Sequence, residues 1–244
     1  MDWAYLDLFT GSVIIFLAVI MPVFGIWEHK RMNRLLAEGV TTARVDSYRI
    51  AIVVEWFAAI GMLVWWVVEK RPVEPLFLTL QIDGWQLVIA AAAVVLTAVV
   101  VIQTKRDMNN PEALEKVRGS IGSLESIVPR TPKEVTVFNV LSVTAGICEE
   151  IMYRGVLMAV LASLLGWWPA VVVGGVIFGL GHAYQGGLGI VKTGILGMLM
   201  SVLTIFSGTL VPAILLHVVI DLSSGKMMAA ALLGDRKTSL KKGD

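Results

Sequence analysis

The chain has 244 residues, of which 57% are hydrophobic and 16% charged, with a formal net charge of +1. Soluble domains carry nearer a quarter charged residues, so this composition excludes an ordinary soluble enzyme and implies a polytopic membrane protein. The near-zero charge leaves no electrostatic footprint for a nucleic-acid partner.

A membrane-spanning helix needs about 20 mostly apolar residues. The first such run covers residues 9–27 and is closed by the polar EHKR. The ten residues at the start hold Asp2 and Asp7 and no Lys or Arg. The run behind them is too long for a signal h-region, so no cleavable signal peptide is expected. A second run covers 50–68 and a third 85–103. The polar stretch KRDMNNPEALEKVRGSIGSLESIVPRTPKE follows. It and loop 28–49 have the composition of amphipathic connectors, not of domains.

The fourth element has a readable start. Thr131 suits an N-cap, Pro132 suits the first helical position, and Glu134 completes a T-x-x-E capping box. The pattern then runs to Leu165, where Gly166 stops it. That length, roughly 50 Å, exceeds a roughly 30 Å hydrocarbon core, so the helix is expected to start outside the core, to tilt, or to break near Gly146. A fifth element covers 168–182, a sixth 189–206, and a seventh starts near 210. The seventh either continues toward Leu233 or breaks near Ser224 into a short eighth. The fold class is therefore all-α, a polytopic transmembrane bundle of about seven or eight helices. It divides into residues 1–134 with three spans and two polar loops, a core of 135–225, and a tail of 226–244.

Lys and Arg concentrate in loops 28–49 and 104–134 and in the tail, and are sparse in 69–84. Seven crossings with the N-terminus outside and the C-terminus inside satisfy this bias. The expected place is the plasma membrane, with the lipid bilayer as the constant partner. Lys192 falls near the inner end of its helix, where it can snorkel. Trp27, Trp65, Trp66, Trp85, Trp167 and Trp168 fall at span ends, as an aromatic belt should. No internal repeat supports an inverted-repeat transporter.

Four charges sit where lipid would penalise them: Glu149, Glu150, Arg154 and Asp221. Each costs about 2.5–3.5 kcal/mol at a helix centre, so they must face an interior or pair. Glu150 and Arg154 are four apart, which predicts a bracing ion pair on one helix face. Glu149 is rotated about 100° away and has no partner on its own helix. A carboxylate held in an apolar site can serve as a general base near neutral pH. FGLGH puts Phe178 and His182 on one face, and HVVID does the same for His217 and Asp221. Glu149, His182 and His217 lie on three helices that can converge on one cavity. His29 reads as a solvated interfacial histidine. Glu55, inside the second span, reads as structural, with snorkelling, pairing or a cavity-lining place open to it. Cys148 reads as a small buried hydrophobe. As the single cysteine of the chain it also excludes an intrachain disulfide framework.

EEIMYR at 149–154, FGLGH at 178–182 and HVVID at 217–221 resemble, in this order, the EExxxR, FxxxH and HxxxN/D motifs of the CPBP family. That family comprises CAAX prenyl proteases and bacteriocin-processing (ABI) proteins. The resemblance covers about residues 135–225 and implies an intramembrane endopeptidase acting on a membrane-associated peptide or a CAAX-like tail. It implies that Glu149 and His182 activate the attacking water, and that His217 and Asp221 bind the carbonyl oxygen. Glu150, Arg154 and Phe178 would support the site. Many relatives carry Asn where this chain has Asp221. An ionised Asp cannot donate to an oxyanion, so His217 is the better donor and Asp221 can instead orient it. A metal-free site with no cofactor is the preferred expectation, with zinc held by Glu149, His182 and His217 as the alternative. A non-enzymatic immunity or interaction role in the same family is the alternative to catalysis. A proton-coupled transporter ranks last, because the first three spans offer only Glu55 as an internal charge.

Overall fold

The computed structural model describes residues 7–81 and 83–241, with side chains through Leu233. Among them the chain forms eight continuous helices: α1 (Leu8–Ala37), α2 (Ala43–Val68), α3 (Gly84–Asp107), α4 (Pro111–Ile121), α5 (Pro132–Leu165), α6 (Trp167–Gly181), α7 (Gly187–Ser207) and α8 (Val211–Lys241). There is no strand among the described residues. Six of the helices, α1, α2, α3, α5, α7 and α8, are long and apolar enough to cross a membrane. The 15-residue α6 is apolar but about 22 Å long, short of a full hydrocarbon core. The protein is thus an all-α, integral membrane helical bundle.

Several boundaries differ from the pattern. α1 runs past EHKR because its polar end is packed: Glu28 accepts from Arg31 at 2.6 Å and from Ser47 of α2 at 2.8 Å. The capping box at Thr131 forms in full, with Thr131 Oγ1 accepting from the Glu134 N–H and Glu134 Oε2 from the Thr131 N–H. Asp83 and Gln86 build a second one at the start of α3. Within the polar stretch, α4 begins on Asn110, whose side chain accepts from the Glu112 N–H at 3.0 Å. α8 does not break at Ser224. The helix α5 does not break at Gly146 either. A Cβ there would lie 2.4 Å from Val218 Cγ2 and 3.0 Å from the Val218 backbone nitrogen. Gly146 therefore marks a close crossing of α5 and α8. The irregularity comes later, where residues 150–157 widen into π-helix, a device common at functional sites.

The two ends of the bundle are built differently. At the aromatic end, Trp66 is fully buried rather than part of a belt. It packs edge-on against Phe9 at 5.8 Å and donates its indole N–H to Pro72 O at 3.0 Å. Arg71 pairs with Asp7 there, and the 69–83 connection is laced to the start of α8 by Leu210 N–H to Phe77 O at 2.9 Å. Most of the buried core, from Phe9 and Leu17 to Met152, Leu157 and Ala170, lies toward this end. At the basic end the packing is sparser. A small cluster of Ile121, Val128 and Ala231 holds α4 to α8, helped by Arg118 donating to Ala231 O at 2.7 Å. The outward faces stay apolar, with Phe57 82% and Val88 66% exposed and only Ala93 buried on α3. Exposed apolar surface on that scale fits contact with lipid.

Candidate active site

The charges foreseen as misplaced are gathered inside the bundle. Glu150 and Arg154 pair at 2.9 Å and are 0% and 1% exposed at the side chain. The arginine also stacks over Phe178, with Cζ 4.1 Å from the ring centroid. Phe178 in turn meets Tyr153 edge-on at 5.0 Å and His182 at 4.8 Å. Phe178 thus links α5 to α6 beside the ion pair.

Glu150 does more than brace Arg154. Its Oε1 lies 2.7 Å from His217 Nδ1 across the α5–α8 crossing. A carboxylate beside a guanidinium accepts hydrogen bonds, so Nδ1 is the donor. This fixes the ring and turns Nε2 toward Glu149 Oε2 at 3.8 Å and Asp221 Oδ2 at 3.7 Å. Neither separation is a hydrogen bond. The residue that orients His217 is therefore Glu150, one helix away, and not Asp221 on its own helix. The close approach permitted by Gly146 brings the two helices within this reach.

His182 ends α6 as its C-cap. Its Nδ1 lies 3.0 Å from Phe178 O, one of the carbonyls a helix end leaves free. A carbonyl only accepts, so Nδ1 carries the hydrogen and Nε2 is left as an acceptor. α6 is held against α7 closely enough that a Cβ on Gly179 would lie 2.5 Å from Ile190 O.

Glu149, His182, His217 and Asp221 all line one cavity of about 750 Å³, a size usual for a ligand site. It runs from these residues toward the basic end, past Met32, Tyr48, Leu124 and Met228. Glu149 Oε2 is buried without a hydrogen-bond partner. Phe178 borders the same space. Cys148 is fully buried in the core and not among the cavity walls.

Two further polar residues reach the cavity wall. His29 is half-buried, bonded to Asn33 at 3.1 Å, and set 5.8 Å from the Tyr184 ring. Glu55 has no hydrogen bond or ion pair among the described residues and also faces the cavity, one of the places its sequence left open. Its signal, a carboxylate inside an apolar span, was legible; the rotation of α2 that aims it inward was not. Among the described residues, no three His, Cys, Asp or Glu side chains are gathered to hold an ion. His217 Nδ1 and His182 Nδ1 are engaged, one by Glu150 and one by Phe178 O, which leaves the Nε2 of each ring free to act.

The fold and this site define an integral membrane helix bundle with a buried carboxylate and histidine centre. Residues 131–223 match the model of a protein family described as type II CAAX prenyl endopeptidase Rce1-like. The matched segment contains all three motifs and is consistent with the CPBP family they resemble, and the similarity points to a membrane protease. Neither a curated protein nor a solved structure matches the chain.

Proposed function

We propose that the protein is an intramembrane endopeptidase that hydrolyses a peptide bond with water activated by Glu149. The observation that carries this reading is Glu149 Oε2, buried at the cavity wall without a hydrogen bond from the described residues and 3.8 Å from His217 Nε2. Water bound between Glu149 and His182 Nε2 gives its proton to Glu149 as its oxygen attacks the scissile carbonyl. The oxyanion that forms is met by His217, whose doubly protonated ring donates Nδ1–H to Glu150 and Nε2–H to the oxygen. Asp221 beside it balances that charge. Collapse of the tetrahedral species breaks the C–N bond, and the proton taken from water passes to the leaving nitrogen. A positioned general base of this kind contributes about 10²–10⁴-fold. No step requires a metal.

Substrates of the reading are a membrane-associated peptide or a CAAX-like tail. With the N-terminus outside and the C-terminus inside the plasma membrane, the cavity faces the cytosol, and substrate enters from there. Purified parent and Glu149→Gln proteins are to be compared against a peptide library, with and without chelator. The expected result is parental cleavage that survives the chelator and falls by about 10³-fold in Glu149→Gln. Equal rates in the two proteins would overturn the mechanism. A cellular phenotype that persists without Glu149, His182 and His217 would favour the non-enzymatic binding role.

A further inference from the structure

Glu55 lies on α2, outside the segment that the family model matches. It shares a stripe with the buried Ala58, Ala59, Met62 and Trp66, the spacing of one helix face. The next residue, Trp56, donates its indole N–H to Thr144 Oγ1 of α5 at 3.3 Å. That bond sets the register of α2 against the helix bearing Glu149. In this register Glu55 reaches the cavity wall that also holds Glu149 and Asp221. It is 8% exposed, its Oε2 is buried, and no hydrogen bond or ion pair reaches it from the described residues.

The cavity wall is rich in carboxyl groups. Among the described residues Glu28, Glu55, Glu149 and Asp221 line it, with Lys192, which is exposed, and the histidines His29, His182 and His217. Glu28 is already held by Arg31 and Ser47. Glu149 and Asp221 belong to the proposed reaction. Glu55 remains, a shielded carboxylate with no hydrogen bond or ion pair from the described residues. Such a group is costly alone and favourable once a cation joins it with good hydrogen-bond geometry.

We propose that Glu55 is a specificity residue that binds a lysine or arginine side chain of the peptide substrate near the scissile bond. The inference rests on the endopeptidase reading and narrows it. A peptide cut at an internal site with a basic neighbour suits this wall, whereas a free terminal carboxylate at the same place is repelled. The test uses matched fluorogenic peptides with Lys, norleucine or Glu at each position flanking the cleavage site. The parent protein is expected to prefer the Lys peptide by about 10–100-fold in kcat/KM at one position. In Glu55→Gln that preference falls about 10-fold or more, mainly through KM, and Glu55→Asp restores part of it. A parent that cleaves Lys and norleucine peptides equally overturns the proposal and leaves the peptidase standing. So does a Glu55→Gln that lowers kcat for all peptides alike, which would place Glu55 in proton transfer. If no peptide is cut, binding of labelled Lys and norleucine peptides to the parent protein decides the matter: equal affinity rejects the specificity role, and the absence of hydrolysis rejects the peptidase reading separately.

Discussion

The aromatic and basic ends of this bundle solve opposite problems. At the aromatic end, Phe9, Trp66, Leu76 and the π-helical turn of α5 fill the space, and Asp7, Arg71 and Phe77 tie the connections down. At the basic end, the helices part around a cavity of about 750 Å³, with α4 tethered across it by a small cluster and by Arg118. The site lies where the two meet. Glu150 and Arg154 are sealed, while Glu149, His182 and Asp221 face the opening. A rigid half can hold charges in fixed geometry, and an open half can admit a peptide.

The strongest way to break this division is to strip Glu150 of its partner. Arg154→Met should cost about 3–5 kcal/mol, since it leaves a fully buried carboxylate without its guanidinium and with His217 as its remaining partner. Thermal unfolding in detergent reads this out, and an unchanged midpoint would mean that the pair is not structural. Gly146→Ala tests the crossing itself. The added methyl, 2.4 Å from Val218 Cγ2, should cost about 1–3 kcal/mol. It should also lower kcat by pushing His217 away from Glu149, and full activity would show that the crossing does not set the site.

Asp7→Ala probes the closed end at its edge. Asp7 accepts from the Thr10 N–H at 2.8 Å and pairs with Arg71, and loss of such a cap costs about 1 kcal/mol. Partial burial works against ionisation of Asp7, but the Thr10 N–H and the Arg71 charge outweigh it and hold the carboxyl below its ordinary value. The contribution is therefore present above that ordinary value and lost as pH falls through the lower, folded one. The difference between parent and Asp7→Ala stabilities should shrink in acid; a constant difference would exclude the ionised cap. The smallest stability effect belongs to the open end. Leu124→Trp narrows the cavity at a half-buried wall residue and should change stability by no more than about 0.5 kcal/mol. It should raise KM several-fold with kcat kept. A KM equal to the parent's would place substrate entry elsewhere.

Hydrophobic run length and cap chemistry made most of the helices legible. The Thr131 box and the stop at Gly166 are written in local residue types, and local backbone hydrogen bonding obeys them. The i, i+4 spacing of Glu150 and Arg154 likewise implied a pair, because both groups ride on one helix. What spacing could not supply is the rotation of one helix against another. Glu150 reaches His217 over 67 positions of sequence, and Asp221, though four residues away, does not bond it. Gly146 looked like a breaking point and is instead the contact that lets α5 and α8 approach.

Composition and spacing alone make this chain a membrane-embedded helical bundle with carboxylates and histidines turned away from lipid, because such groups are costly in hydrocarbon. Which of them meet follows from how the helices cross. Glu150 became the partner of both Arg154 and His217, Glu149 was left facing the cavity, and Glu55 was turned inward beside it. The reason is physical: burial is dictated by each residue's own chemistry, whereas partnership depends on crossing geometry, which is set by small residues and packing far from the charges themselves.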